Sequence, residues 1–174
     1  MRTPLLAILA VWLTATQAWS KVTSVTFEEL ARESEAIVVA KVERVTWPPI
    51  GKRYAKAKVL EVWKGAPTER VEFLTSRTWT CDISEAKKGE TVLLFLTRSP
   101  NSRSYAIAHA GRGRMPLRVV EGQRYATFWP EVRLPKDIPT IHGPEAKWDF
   151  IKSVELGTLR ALVKKALTQE ERPE

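Results

Sequence analysis

The sequence predicts a mainly β protein: a small closed barrel preceded by one short helix and followed by another. Three observations carry that prediction. Between residues 36 and 128, short runs rich in Val, Ile, Leu, Phe and Tyr recur, several alternating apolar with charged residues, the period-2 signature of strands with one face in a core. Clusters of Gly, Pro, Ser and Asn separate these runs at close spacing, which is turn chemistry. The flanking segments at 27–33 and 156–167 instead repeat their apolar residues at helical spacing. Closing five or more short strands on themselves satisfies edges that an open sheet of this size leaves bare.

The first 20 residues stand apart from that pattern. Met1 and Arg2 give a positive start, Leu5 to Leu13 is unbroken apolar sequence, and Thr14 to Ser20 ends in small residues. That order is a secretory signal peptide, and its apolar stretch falls short of the roughly 20 residues a membrane-spanning helix needs. Cleavage after Ser20 or after Ala18 suits the small-residue pocket of signal peptidase; an uncleaved anchor is the alternative. The reading is therefore a secreted or periplasmic protein with no stable membrane insertion after cleavage. The rest divides into a barrel at 21–129, a Pro-rich irregular arm at 130–155, and a C-terminal helix and tail at 156–174.

Each element has its own signal. Thr26 with Glu29 forms an N-cap and reciprocal acid, opening a helix over Phe27 to Glu33. Ala36 to Trp47 is β-branched and alternating, and stops at Pro48-Pro49. Tyr54 to Trp63 places Lys56 and Lys58 on a wet face opposite Ala55, Ala57 and Val59. Arg70 to Thr75 is a third strand. Thr91 to Thr97 is the most continuous apolar run after the leader, so it belongs at the centre, buried on both faces. Tyr105 to Ala110 returns as a fifth strand, and Leu117 to Val120 with Arg124 to Phe128 flank the tight-turn pair Glu121-Gly122. Pro130, Pro135, Pro139 and Pro144 mark the arm, with Trp129 and Trp148 to pin it. Leu156, Leu159, Leu162, Val163, Ala166 and Leu167 make the docking stripe of the last helix.

Charge and cysteine content narrow the partners. The whole chain carries 28 basic and 20 acidic side chains; losing Arg2 and no acid with the leader leaves 27 against 20, a net +7. Outside the cytoplasm such a balance points to anionic envelope glycans, lipid headgroups or acidic proteins, or serves solubility alone. Cys81 is the single cysteine, so no internal disulfide can form, and its thiol is buried, reactive or joined to a second chain. The chain is then a monomer or a Cys81-linked dimer.

The order SEAIVVAKVERV, YAKAKVLEVWKG, VEFLTSRTWTC and KGETVLLFL, from Ser34 to Leu96, resembles the netrin-like domain, the OB-fold barrel of tissue inhibitors of metalloproteinases and of bacterial secreted relatives. The resemblance covers about 65 residues and implies an OB-like barrel used for protein contact. The family's inhibitors chelate protease zinc through an N-terminal cysteine held by disulfides to the barrel. Here Trp19, Ser20, Lys21 and Val22 stand in place of that motif, Cys81 has no partner, and no cysteine occurs near His109 or Ala110. The fold is implied and the zinc-chelating device is not.

Catalytic and metal chemistry find little support. Cys81, His109 and His142 share no metal-ligand spacing, and Gly111-Arg112-Gly113-Arg114 is too short and too basic for a phosphate loop. A thiol enzyme would need Cys81 activated by His109, yet the neighbouring Asp82 raises a thiol pKa. The richest feature is a basic cluster, Arg98, Arg103, Arg112, Arg114, Arg118 and Arg124, interleaved with Tyr105 and Tyr125. Such cationic and aromatic platforms let OB folds hold oligonucleotides and oligosaccharides, while export makes nucleic acid the wrong partner. The expected function is a non-catalytic binding module without cofactor, for an unidentified protein or an anionic envelope glycan. Inhibition of an extracellular protease by another route, and thiol chemistry at Cys81, are the alternatives.

Overall fold

The computed structural model describes residues 24–47, 51–66, 69–76, 84–98, 104–143 and 151–170. The segment expected as a signal peptide at 1–20, together with Cys81, Arg103, Trp148 and residues 171–174, lies outside the described residues.

The chain opens with β1 (Val25–Thr26) and α1 (Phe27–Glu33). The expected capping box is formed: Thr26 Oγ1 accepts from the Glu29 amide at 3.1 Å, and the Glu29 carboxylate accepts from the Thr26 amide at 2.8 Å. These bonds to Thr26 hold the Glu29 carboxyl below the usual carboxylate range. Phe27, Leu30 and Ala31 are the buried face, and Phe27 meets Phe95 edge-on, with ring centroids 5.4 Å apart.

Five strands close the barrel: β2 (Ala36–Thr46), β3 (Tyr54–Lys64), β4 (Arg70–Leu74), β5 (Thr91–Arg98) and β6 (Tyr105–Ile107). Around the ring β5 pairs with β2, β2 with β3, β3 with β4, β4 with β6, and β6 returns to β5. All these contacts are antiparallel except β4 with β6, which is parallel. This is an OB-like closed barrel. Its interior holds Val38, Ala40, Val42, Ala55, Ala57, Phe73, Val92, Leu94 and Leu96, the inward half of each alternating pattern. Three register shifts between β2 and β3, at Ile37/Val38, Val39/Ala40 and Val42/Arg44, supply the extra twist that such tight closure requires.

A second sheet segment branches from the same strand. β7 (Arg114–Val120) and β8 (Gln123–Phe128) form the expected hairpin, with Glu121 and Gly122 both at positive φ. β11 (Lys152–Glu155) extends β8, and β10 (Ile141–His142) extends β11. β9 (Val132–Arg133) runs parallel to β1. A second core lies between the outer face of these strands and the helices, where Leu159, Val163 and Ala166 of α2 (Leu156–Glu170) meet Leu30, Ile37, Leu93, Phe95 and Met115.

Three expectations change. The strand predicted over Tyr105 to Ala110 ends at Ile107, because His109, Ala110 and Gly111 take left-handed backbone (φ 49, 50 and 90°). That turn reverses the chain into β7, which begins at Arg114 rather than Leu117. The Pro-rich segment 130–155 is not wholly irregular: β9, β10 and β11 lie within it, and β11 completes the open edge of β8. Strands of two to four residues are too short for alternation to reveal them. Among the described residues no helix is long and apolar enough to cross a membrane.

Gly113 is where the branch is tightest. A Cβ there would lie 2.7 Å from the Phe95 carbonyl oxygen and 2.9 Å from the Phe95 Cβ. Gly113→Ala is expected to destabilise the protein by about 1–3 kcal/mol through this overpacking, read as a fall in the urea midpoint at unchanged m-value.

Candidate anion-binding face

The arginines that cluster in sequence are dispersed among different partners. Arg98, at the end of β5, binds Glu35 at 3.0 Å through Nε, and its amide donates to the same carboxylate at 2.9 Å. Arg112 is buried in the 108–113 turn, donating to the Ala110 carbonyl at 3.1 Å and lying 3.5 Å from Glu131. Arg114 grips Glu90 with two guanidinium nitrogens, both side chains largely enclosed. Arg118 donates to the His142 carbonyl, and Arg124 pairs with Glu61 at 2.9 Å. Tyr125 stands directly across from Arg118 on β8, whereas Tyr105 packs against the barrel core. The structure brings Arg118 and Tyr125 together, and it assigns Arg98, Arg112, Arg114 and Arg124 to four separate carboxylates. These are ties between elements, not one platform.

The histidines are likewise apart. His109 Nε2 lies 2.7 Å from the Glu33 carboxylate at the end of α1, and His142 is exposed on β10. Cys81 falls outside the described residues; on either side of the segment that holds it, buried Thr75 donates to the Ser84 carbonyl at 2.8 Å. Among the described residues no group of three or more His, Cys, Asp or Glu could hold a metal ion.

A different basic surface emerges on the outside of β2, β3 and β4. Inward-facing Ala40, Val42, Ala57 and Val71 force their neighbours outward, and the register then sets those neighbours side by side. Lys41 faces Lys58, and Lys58 faces Arg70. In the next row Arg44 faces Lys56, which faces Glu72. Beyond them come Thr46, Tyr54 and Leu74; just past the end of β2, Trp47 is 62% exposed, with the Arg53 guanidinium 3.3 Å above its ring. Glu72 pairs with Lys56 at 3.3 Å and Glu43 with Arg70 at 3.2 Å. Among the described residues Lys41, Arg44 and Lys58 form no ion pair. A hollow of about 300 Å³ opens beside Lys58, Val59, Glu69 and Arg70.

Like charges directly opposite one another on a sheet are destabilising, so Lys41 opposite Lys58 works against the fold, whereas Glu43 and Glu72 offset Arg70 and Lys56. The wet-face alternation of Lys56 and Lys58 is legible in the sequence. That Lys41 and Arg70 lie across from Lys58 is set by strand pairing and has no local signal.

Farther along β3 lies an electrostatic node. Glu61 accepts from the Trp63 indole at 3.2 Å and lies 2.9 Å from Arg124 and 3.7 Å from Arg160 of α2. Burial opposes its ionisation, but the indole and the two guanidiniums outweigh that and hold its carboxyl below the usual carboxylate range. Beside it runs a cleft of about 280 Å³ between β3 and α2, lined by Val62, Trp63, Arg160, Val163, Lys164, Leu167 and Thr168. The adjacent Lys64 ammonium reaches back to the Ala31 and Arg32 carbonyls at 3.1 and 2.6 Å, closing the C-terminal end of α1.

No protein-family model matches the chain, and a search of curated proteins returns no match either.

Two expected outcomes test this electrostatic description. Lys58→Glu places an acid between two cations and should stabilise the fold by about 0.5–1 kcal/mol, measured as a raised denaturation midpoint at low salt. Glu61 contributes stability above the pKa it has in the unfolded chain, and that contribution disappears as pH falls through its lower folded pKa. Glu61→Gln should therefore lose roughly 1 kcal/mol at neutral pH and converge with wild type in acid, seen in unfolding curves from pH 7 to 3.

Proposed function

We propose that this chain is an exported, non-catalytic binding module that takes an anionic partner on the outer face of β2, β3 and β4. The observation that carries the reading is the cross-strand row Lys41–Lys58–Arg70, backed by Arg44 and Lys56. Among the described residues Lys41, Arg44 and Lys58 have no carboxylate partner, and the repulsion between Lys41 and Lys58 is relieved when an anion lies across them. Tyr54 supplies aromatic surface at the end of the same face. In the ring, β3 and β4 are the second and third strands, the face on which OB folds bind extended ligands. Export rests on the leader at 1–20, with its basic start and apolar Leu5 to Leu13 run. Kinship with the netrin-like domain is part of the same proposal, supported by the motif order from Ser34 to Leu96 and by the OB-like ring.

Retention of the mature protein on immobilised heparin, a generic polyanion, tests the site. Wild type should elute at a salt concentration well above that of Lys41→Glu/Lys58→Glu, with at least a tenfold loss of affinity in the variant. Arg98→Glu should elute close to wild type, since that guanidinium is engaged with Glu35. Retention insensitive to salt, or equal for all three proteins, would overturn the proposal.

A further inference from the structure

The outer surface of β3 does not end at the cation rows. Beyond Lys56 and Lys58 come Leu60, 49% exposed at a register shift, then Glu61 and Trp63. From Glu61 onward α2 runs alongside, setting Arg160 near Glu61 and Lys164 beside Trp63 and Leu167. Glu61 is outnumbered by Arg124 and Arg160, so the positive surface continues past it. No carboxylate lines the cleft, whose floor is apolar and aromatic and whose rim bears two cations. The distance from Lys56 to Trp63 along the strand is about 20 Å.

We infer that the cation rows and the α2 cleft form one track, and that its ligand is a linear acidic polysaccharide lying along β3. The inference rests on the proposed anion-binding face and names its partner. Charge complementarity calls for repeated acidic groups along an extended chain. The Trp63 and Leu167 floor calls for apolar faces between those groups, and pyranose rings present them where a polypeptide polyacid does not. The wall formed by α2 admits a strand-like polymer and keeps a flat lipid surface away from Trp63. Trp47, the more exposed indole, already has its ring covered by Arg53.

The test uses the mature protein with heparin and polygalacturonate, each as a disaccharide-sized fragment and as a long chain, and with polyglutamate and anionic vesicles. Long polysaccharides should bind at least tenfold tighter than fragments and should shift the NMR signal of the Trp63 indole N–H. Lys164→Glu, an exposed substitution, should remove most of that gain while leaving fragment binding within about twofold. Binding of heparin but not polygalacturonate would identify sulfate as the recognised group, and binding of both would identify acidic polysaccharide in general; either supports the track. Long-chain affinity untouched by Lys164→Glu overturns the track and leaves the cation rows standing as the site. Polyglutamate or vesicles binding as tightly as the polysaccharides overturns the ligand class. Absence of binding to every polyanion removes the inference together with the function on which it rests.

Discussion

A β-strand has two edges, and in this fold β5 must serve three neighbours. One edge is given wholly to β2, over Ala36 to Lys41. The other is divided: Val92 to Leu94 pair with β7, and Leu96 to Arg98 pair with β6. The division falls at Phe95, whose amide donates to the Gly113 carbonyl at 2.8 Å and whose carbonyl accepts from the Ala108 amide at 3.0 Å. With β6 attached, the ring closes; with β7 attached, a second sheet grows outward and gives the helices a surface to cover. The continuous apolar sequence of β5 follows from this position. Val92, Leu94 and Leu96 fill the barrel, while Leu93 and Phe95 lie beneath α1 and α2. Each side chain is buried whichever way it points.

Electrostatics in this protein divides into two kinds. Arg98, Arg112, Arg114 and Arg124 each engage a carboxylate on another segment, fastening strand ends, the left-handed turn and the hairpin to their surroundings. Arg114 with Glu90 is the most enclosed of these and the one with two-point geometry, the arrangement in which an ion pair has most structural meaning. On β2, β3 and β4 the pattern is mixed: Glu43 and Glu72 pair with Arg70 and Lys56, but Lys41 faces Lys58 with no carboxylate partner for either among the described residues. Opposite signs at Lys41 and Lys58 would be the more stable arrangement. The contrast separates cations that fasten one segment to another from cations that lie opposite cations, and a count of basic residues along the chain conceals it.

How far the site could be read in advance follows the same division. Lys56 and Lys58 declare an exposed face by alternation, and the end of that strand at Val62-Trp63-Lys64 marks itself by its bulk. A cluster of arginines between 98 and 124 attracts attention because density along the chain is easy to see. Density along the chain is a poor guide to density in space where a left-handed turn and a hairpin intervene, since each reversal sends successive arginines toward different neighbours. The row Lys41–Lys58–Arg70 draws on three strands and has no density in sequence at all.

Local chemistry in the chain was enough to determine which residues turn inward, where α1 starts, that α2 carries an apolar stripe, and that Glu121-Gly122 is a hairpin turn. Those features depend on side-chain period, caps and φ preference within a few residues. Only the tertiary structure decided that β6 lies parallel to β4 to seal the ring, that β11 joins the sheet from within a Pro-rich segment, and which cations meet. Register between strands is set by bulges and by pairings across long stretches of chain, where a slip of one residue would turn every lysine of the outer face into the core.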